Sequence, residues 1–249
     1  MKIFINFLKD KLKLLLEKNN FIYKIVRKIY LILINTILEN FSGSNKDIFT
    51  EIYKKNKWGD KYSYSGSGSN IKQTKNILIE LPKVIRKYEI TSILDLPCGD
   101  FYWMKEYDFK NLEYIGADIV SALVEQNIKK FSSENIKFMN LDIIINNLPC
   151  SDLLFCRDCL VHFSFDDIFQ ALKNIKRSKF KYLMTTNFLK TGSNINIPTG
   201  SWRTINLCKP PFNFPDPIEN IIENCTEGDN KFSDKVLSLW MLKSIPDYL

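Results

Sequence analysis

A chain of 249 residues, 45% hydrophobic and 25% charged, has the length for one substantial core and the ordinary composition of a globular enzyme. Its net charge of +7 lies wholly in residues 1–57, which hold 12 Lys/Arg against 5 Asp/Glu, so the body is excluded by charge as a nucleic-acid-binding surface. Six cysteines, at 98, 150, 156, 159, 208 and 225, follow no framework spacing and are expected as reduced thiols in a cytoplasmic protein.

Residues 1–41 are apolar and studded with lysine. Phe4, Leu8, Leu12 and Leu15 recur at helical spacing, and a second helical segment is expected over 21–38. The apolar run Ile29–Ile34 is too short to span a bilayer, and the lysines between Lys9 and Lys13 interrupt any signal-peptide core. Two roles stay open: helices packing on the body or a partner, and a basic amphipathic anchor giving residues 1–40 peripheral contact with an anionic membrane. The expected division is a helical extension over 1–45, ending in a linker at Phe41–Asn45, and a catalytic domain over 46–249.

Ile48–Lys57 reads as a helix leading to Trp58-Gly59. The Gly/Ser stretch after Tyr62, flanked by aromatics, reads as a lid before the first core helix, Ile71–Tyr88, with Pro82 as a kink or break. From Thr91 strand and helix alternate. Strands are expected at 91–94, 114–117, 136–139, 152–156 and 181–187, and helices at 121–131 and from Ser164 to about Lys176. Segments 218–225 and 235–242 close the pattern as a hairpin with its turn at 227–231. The alternation implies an α/β fold: a seven-stranded, mostly parallel sheet with helices on both faces and an antiparallel last strand.

Thr91–Met104, TSILDLPCGDFYWM, organises this body. A buried strand, a tight turn and a helix beginning at Phe101 would gather free backbone N–H groups and a positive dipole end around a ligand, with Gly99 allowing close approach. The run resembles motif I of the class I S-adenosylmethionine (SAM) methyltransferases. Asp95 stands in the acid place, Pro97 in that of the first glycine, Gly99 the second and Phe101 the third. The longer string DLPCGDFYWM, with Trp58-Gly59 before it and Trp202-Arg203 after it, is similar to a methyltransferase subgroup linked to glycan modification, over about residues 50–243. The resemblance implies a Rossmann-like domain with SAM as cofactor. The binding set it implies is Asp95, Pro97, Cys98, Gly99, Asp100, Asp118, Ile119, Leu141, Asp142, Cys156 and Trp58.

Acids at strand ends support that set. Asp95 and Asp118 are 23 residues apart, and Asp142 follows after 24. In open α/β sheets ligands sit at the carboxyl ends of the strands. Asp118 is placed for two ribose hydroxyls, Asp142 for an adenine amine, and Asp95 for the methionine ammonium. After the fourth strand comes Cys156-Arg-Asp-Cys-Leu-Val-His162, with the chain's single histidine. A helical turn there would set Asp158 and His162 on one face, the carboxylate fixing the imidazole tautomer and raising its basicity. The run also resembles the E-x-x-E-H string of metal-assisted methyltransferases, but Val161 replaces the second acid, and no metal is expected. The long segment 194–217 is expected to wall the substrate site, Trp202 stacking on a sugar and Arg203 offering a fork to a carboxylate or phosphate.

The reading is thus a SAM-dependent O-methyltransferase of a small hydroxylated acceptor, a sugar or capsule-type glycan precursor, with His162, Asp158 and Arg203 as catalytic residues. An NAD-dependent nucleotide-sugar-modifying enzyme and a non-catalytic, membrane-tethered SAM-binding module are the alternatives. No nucleic-acid partner is expected.

Overall fold

The computed structural model describes residues 43–248; the amphipathic helices and membrane contact expected of residues 1–40 lie outside the described residues. From Gly43 onward the chain forms one compact unit. Among the described residues no helix is long and apolar enough to cross a membrane.

Helix α1 (Asn45–Lys54) begins inside the stretch read as a linker. Ser44 is the reason. Its hydroxyl accepts from the Asp47 N–H at 3.3 Å, and the Asp47 carboxylate accepts from the Ser44 N–H at 2.9 Å, a reciprocal cap that stabilises a helix start by about 1 kcal/mol. Helix α2 (Ile71–Lys87) buries Ile77, Leu81, Val84 and Ile85 along one stripe. It runs through Pro82 unbroken, because the stripe continues on both sides of the lost hydrogen bond.

Five parallel strands follow: β1 (Ser92–Asp95), β2 (Glu113–Asp118), β3 (Ile136–Asn140), β4 (Leu153–Cys156) and β5 (Tyr182–Phe188). Then β6 (Glu219–Ile222) and β7 (Lys235–Met241) pair antiparallel, and β7 inserts antiparallel beside β5. The sheet order is β3-β2-β1-β4-β5-β7-β6, so strand order reverses between β1 and β4. A crevice opens there at the carboxyl edge. The sheet is seven-stranded and mostly parallel, as its sequence pattern implies.

Helix α3 (Ser121–Phe131) has the bounds its sequence indicates, and α4 (Phe165–Arg177) starts at its Ser164 cap. The Asp167 carboxylate accepts from the Thr199 hydroxyl rather than from the cap backbone, so this capping box is one-sided. Each sheet face carries its own core. Ile168, Ala171, Leu172 and Ile175 of α4 pack on one, with Leu94, Leu154 and Cys156. The α2 stripe and Val124 of α3 pack on the other, with Ile93, Leu153 and Phe155. Strand residues alternate between the two faces with period two.

No helix starts at Phe101. Phe101 has φ 56°, and only a 3-10 turn, Met104–Glu106, follows. The cause is the aromatic content of the segment: the Phe101 ring packs on Phe109, Tyr114, Phe131 and Phe138, with centroids 5.1 to 6.0 Å away. Trp103 and Met104 are buried as well. A helix would turn part of this run to solvent.

At the carboxyl edge, four charges join β4 to the β6–β7 hairpin. Arg157 NH2 donates to Glu223 at 2.6 Å, and Lys235 Nζ lies 2.7 Å from Asp158 and 3.3 Å from Glu223. Arg157 NH1 closes the ring at 3.2 Å from Asp158, and its NH2 also donates to the Gly68 carbonyl at 2.9 Å. The Glu223 side chain is 1% exposed. Removing one partner of a buried ionic group strands the others, so Glu223→Gln should lower stability by about 3–5 kcal/mol in urea unfolding followed by tryptophan fluorescence. A loss under about 1 kcal/mol, the scale of an exposed pair, would show that water already solvates the cluster.

Candidate active site

The crevice at the β1–β4 switch is walled by the loop after β1, the ends of β2 and β3, the turn after β4, and the segment from Trp58 to Ser69. The loop after β1 spends its backbone donors inside the protein. Leu96 N–H donates to Phe155 O (2.9 Å), Cys98 N–H to Ala117 O (2.8 Å), Gly99 N–H to Asp118 (3.1 Å) and Asp100 N–H to the Ser65 hydroxyl (3.1 Å). The expected cluster of free amides at a helix N-terminus is therefore absent. Gly99 has φ 56°, and a Cβ on it would lie 2.0 Å from Ser65 Oγ. A side chain here would displace the Ser65 hydroxyl from its place over the loop and strain the left-handed backbone, which glycine adopts freely.

That segment is tied down at both ends of its path. Ser63 Oγ and Tyr64 N–H donate to Asp100 at 3.0 and 2.8 Å, and Ser67 Oγ donates to Glu227 at 2.5 Å. It lies over the crevice, where the sequence reading set a lid.

The crevice brings together Trp58, Asp95, Pro97, Cys98, Gly99, Asp100, Asp118, Ile119, Leu141, Asp142, Asp158 and His162. Cys156 is not among its lining residues. It follows Phe155 on β4 and so points to the opposite face, into the α4 core. Phe155 lines the crevice in its place and was missed; its register beside Asp95 on β1 is the signal that finds it. Trp103, Arg157 and Ser65 were missed too. Each sits within three residues of a chosen position or inside the Gly/Ser run, without a pattern of its own.

Of the five carboxyl groups that line the crevice, three are raised above their ordinary values. Asp95 accepts from the Tyr114 hydroxyl at 2.6 Å, yet burial pushes its carboxyl up to about 8. Burial raises Asp118 to about 6 against hydrogen bonds from the Val120 and Gly99 N–H groups. Asp142 is raised as well, by burial, with the Ile144 N–H opposing. Two buried acids, Asp95 and Asp118, raised by burial and without an ion-pair partner among the described residues, favour a ligand that brings positive charge and hydrogen-bond donors.

His162 ends the 3-10 turn Leu160–His162. Its Nδ1 lies 2.7 Å from the Ser201 carbonyl, which accepts only, so Nδ1 carries the proton and Nε2 holds the lone pair. The Trp58 ring packs on the imidazole, centroids 4.9 Å apart. The expected Asp158–His162 pair on one helical face does not form. Asp158 has φ 51°, outside any helix, and its carboxylate is committed to Lys235 and Arg157. Burial disfavours that carboxylate, but the two cations prevail and hold its pKa well below the usual range. Burial lowers the imidazole pKa.

Arg203 lines neither cavity described here. Its NH1 donates to the Leu160 carbonyl at 2.9 Å and its guanidinium lies over the Phe165 ring, so it braces the turn that carries His162. Burial lowers it to about 10. The fork expected to face a carboxylate or phosphate is buried, its Nε and NH2 without a hydrogen-bond partner among the described residues. Trp202, half exposed, does face a cavity: a second one, adjoining the first, whose walls include Phe188, Phe232, Lys235 and Glu227. Trp58, Ser65, Asp158 and His162 line both.

No protein-family model and no curated protein matches the sequence. Solved structures do match. Human N-acetylserotonin methyltransferase in complex with SAM aligns with a TM-score of 0.55 at 15% identity, over 82% of this chain and 61% of that one. PigF with S-adenosylhomocysteine (SAH) aligns at 0.47 and 12% identity, over 68% of this chain and 56% of that one. Magnesium protoporphyrin IX methyltransferase from Synechocystis with bound SAH aligns at 0.41 and 14%, over 64% and 73%. The chain thus spans about three fifths of the first of these proteins, and it has the Rossmann-like fold of the SAM-dependent methyltransferases.

Proposed function

We propose that the chain is a SAM-dependent methyltransferase that methylates a hydroxyl oxygen of a small acceptor, a sugar or glycan precursor. The observation that carries the reading is the crevice itself: Asp95, Asp118 and Asp142, at or just past three adjacent strand ends, converge on one cavity whose far wall holds His162 with an open Nε2. SAM, when bound, supplies an electrophilic methyl sulfonium. Asp118 would accept from the ribose hydroxyls, Asp142 from the adenine amine, and Asp95, through water or the turn, would help hold the methionine ammonium. The buried carboxyls of Asp95 and Asp118, both raised by burial, fit a ligand with cationic and donor groups. An NAD-type ligand would use Asp118 but leave Asp95 without a cation. His162 Nε2 takes the acceptor's proton, and the walls hold donor and acceptor in line, where proximity removes several kcal/mol of barrier. The sugar assignment is supported by the sequence resemblance and by the half-exposed Trp202 on the second cavity.

SAH should bind in the micromolar range or tighter, about −8 kcal/mol. Its affinity should rise between about pH 5.5 and 7, below the ordinary α-amino value of about 7.7. The sign follows from linkage. Asp95, raised to about 8, is protonated in the empty site, and the incoming ammonium needs the carboxylate, so binding expels a proton and acid opposes it. Calorimetry in buffers of different ionisation enthalpy measures that release, and Asp95→Asn should abolish it near pH 7, leaving only the part that Asp118, raised to about 6, adds toward about pH 5.5. Affinity independent of pH, with no proton released, would remove Asp95 from the ammonium site.

Were His162 the base, His162→Ala should lower kcat by about 10²-fold or more with little change in SAH affinity. His162→Gln should be nearly as slow. Because burial lowers the imidazole pKa, the rate should fall only below about pH 6.5, on protonation of Nε2. Methyl transfer to fractionated saccharides of the source cell provides the assay. A His162→Ala enzyme with wild-type turnover would leave the imidazole a packing role.

A further inference from the structure

The second cavity carries a charge pattern that bears on its ligand. Two carboxylates, Asp158 and Glu227, stand on its walls against one ammonium, Lys235. Lys235 is not available to an anion: Asp158 and Glu223 hold its Nζ at 2.7 and 3.3 Å. Arg157 is held by Glu223, Asp158 and the Gly68 carbonyl. Arg203, the one guanidinium that the sequence aims here, donates to Leu160 and lines neither cavity. Glu227 Oε1 accepts from Ser67, while Oε2 lies near the Cys225 thiol at 3.7 Å and keeps acceptor capacity.

The remaining walls are aromatic. Trp202 is 46% exposed and meets Phe232 edge-on at 4.9 Å, with Phe188 at 6.1 Å behind it. Trp58, 37% exposed, stands on the boundary with the first cavity beside His162. Aromatic faces take the apolar side of a ring, and a surplus of acceptors takes its hydroxyl donors. An anion would meet Glu227, whose charge no cation lining the cavity offsets, since Lys235 and Arg157 are spent on Asp158 and Glu223.

We propose that this second cavity holds the acceptor, and that the part of the acceptor inside it is an uncharged, hydroxylated ring carrying neither phosphate nor carboxylate. The inference rests on the methyltransferase reading for the word acceptor, but the site and its charge preference stand on their own geometry. It sets the class of substrate: a neutral pyranoside, free or as one residue of a chain whose charged groups stay outside.

The test is saturation-transfer NMR on the full-length protein, with and without SAH. The probes are the methyl glycosides of glucose, galactose, mannose and rhamnose, glucose 6-phosphate and glucuronate. At least one neutral glycoside should receive saturation, and Trp202→Ala should weaken it by about tenfold, the scale of a single aromatic contact. The phosphate and the uronate should show no more transfer than on Trp202→Ala. Glu227→Gln removes one carboxylate charge without the aromatic wall and should raise the response to glucose 6-phosphate. Stronger transfer to an anionic probe than to every neutral one, no transfer to any neutral glycoside, or indifference to Trp202→Ala would each overturn the proposal. SAH calorimetry separates the two failures: heat of binding with no glycoside response sinks this inference alone, and a glycoside response without SAH binding sinks the methyltransferase reading alone.

Discussion

The buried ring of Arg157, Glu223, Lys235 and Asp158 is the constraint on which the site depends. Two cations and two anions are each costly to bury alone, and they become tolerable only where three separate segments meet at fixed distances. That requirement ties the turn after β4 to the start of β7 and the end of β6, and through the Gly68 carbonyl to the segment over the crevice. The antiparallel hairpin is therefore more than an edge to the sheet. Without Glu223 and Lys235 the backbone after β4, and with it the approach to His162, would lose its anchor.

A contrast in electrostatics separates the two cavities. The ring neutralises itself, so Asp158 stays ionised and offers little net charge to its surroundings. Asp95 and Asp118 have hydrogen-bond donors but no ion-pair partner, and burial raises both. One side of the Trp58–His162 boundary thus asks for a cation, and the other, with its paired ions and aromatic walls, asks for a neutral ring. A methyl donor bearing positive charge and a hydroxyl acceptor without charge differ in that same sense.

Much of this was legible in the sequence because the signals were periodic. Strand–helix alternation gave every strand to within a few residues, and acids spaced 23 and 24 residues apart located three strand ends on one crevice. What was misread lacked local signals. The run after Gly99 has the composition of a helix start, but its aromatics are spent in the core, and only the packed structure reveals that. Cys156 was assigned to the crevice by proximity in sequence, whereas period two sends it to the other face. Arg203 and Asp158 were read as free to act. Their partners, Leu160 carbonyl for one and Lys235 for the other, are 43 and 77 residues away, beyond any window of pattern.

The same long-range contacts change what His162 can be. An Asp158 partner would have fixed the tautomer and raised the imidazole pKa together, making the ring a stronger base but a more readily protonated one. The Ser201 carbonyl fixes the tautomer and carries no full charge, so burial is left to lower the pKa. The result is an imidazole that is neutral near pH 7 with Nε2 unprotonated. It is a weaker base than a carboxylate-paired histidine would be. In the proposed reaction the sulfonium would carry the driving force, and a base of that strength would need only to accept the acceptor's proton. The Ser201 contact also leaves Asp158 to the charge ring, where it holds the boundary between the two cavities in place.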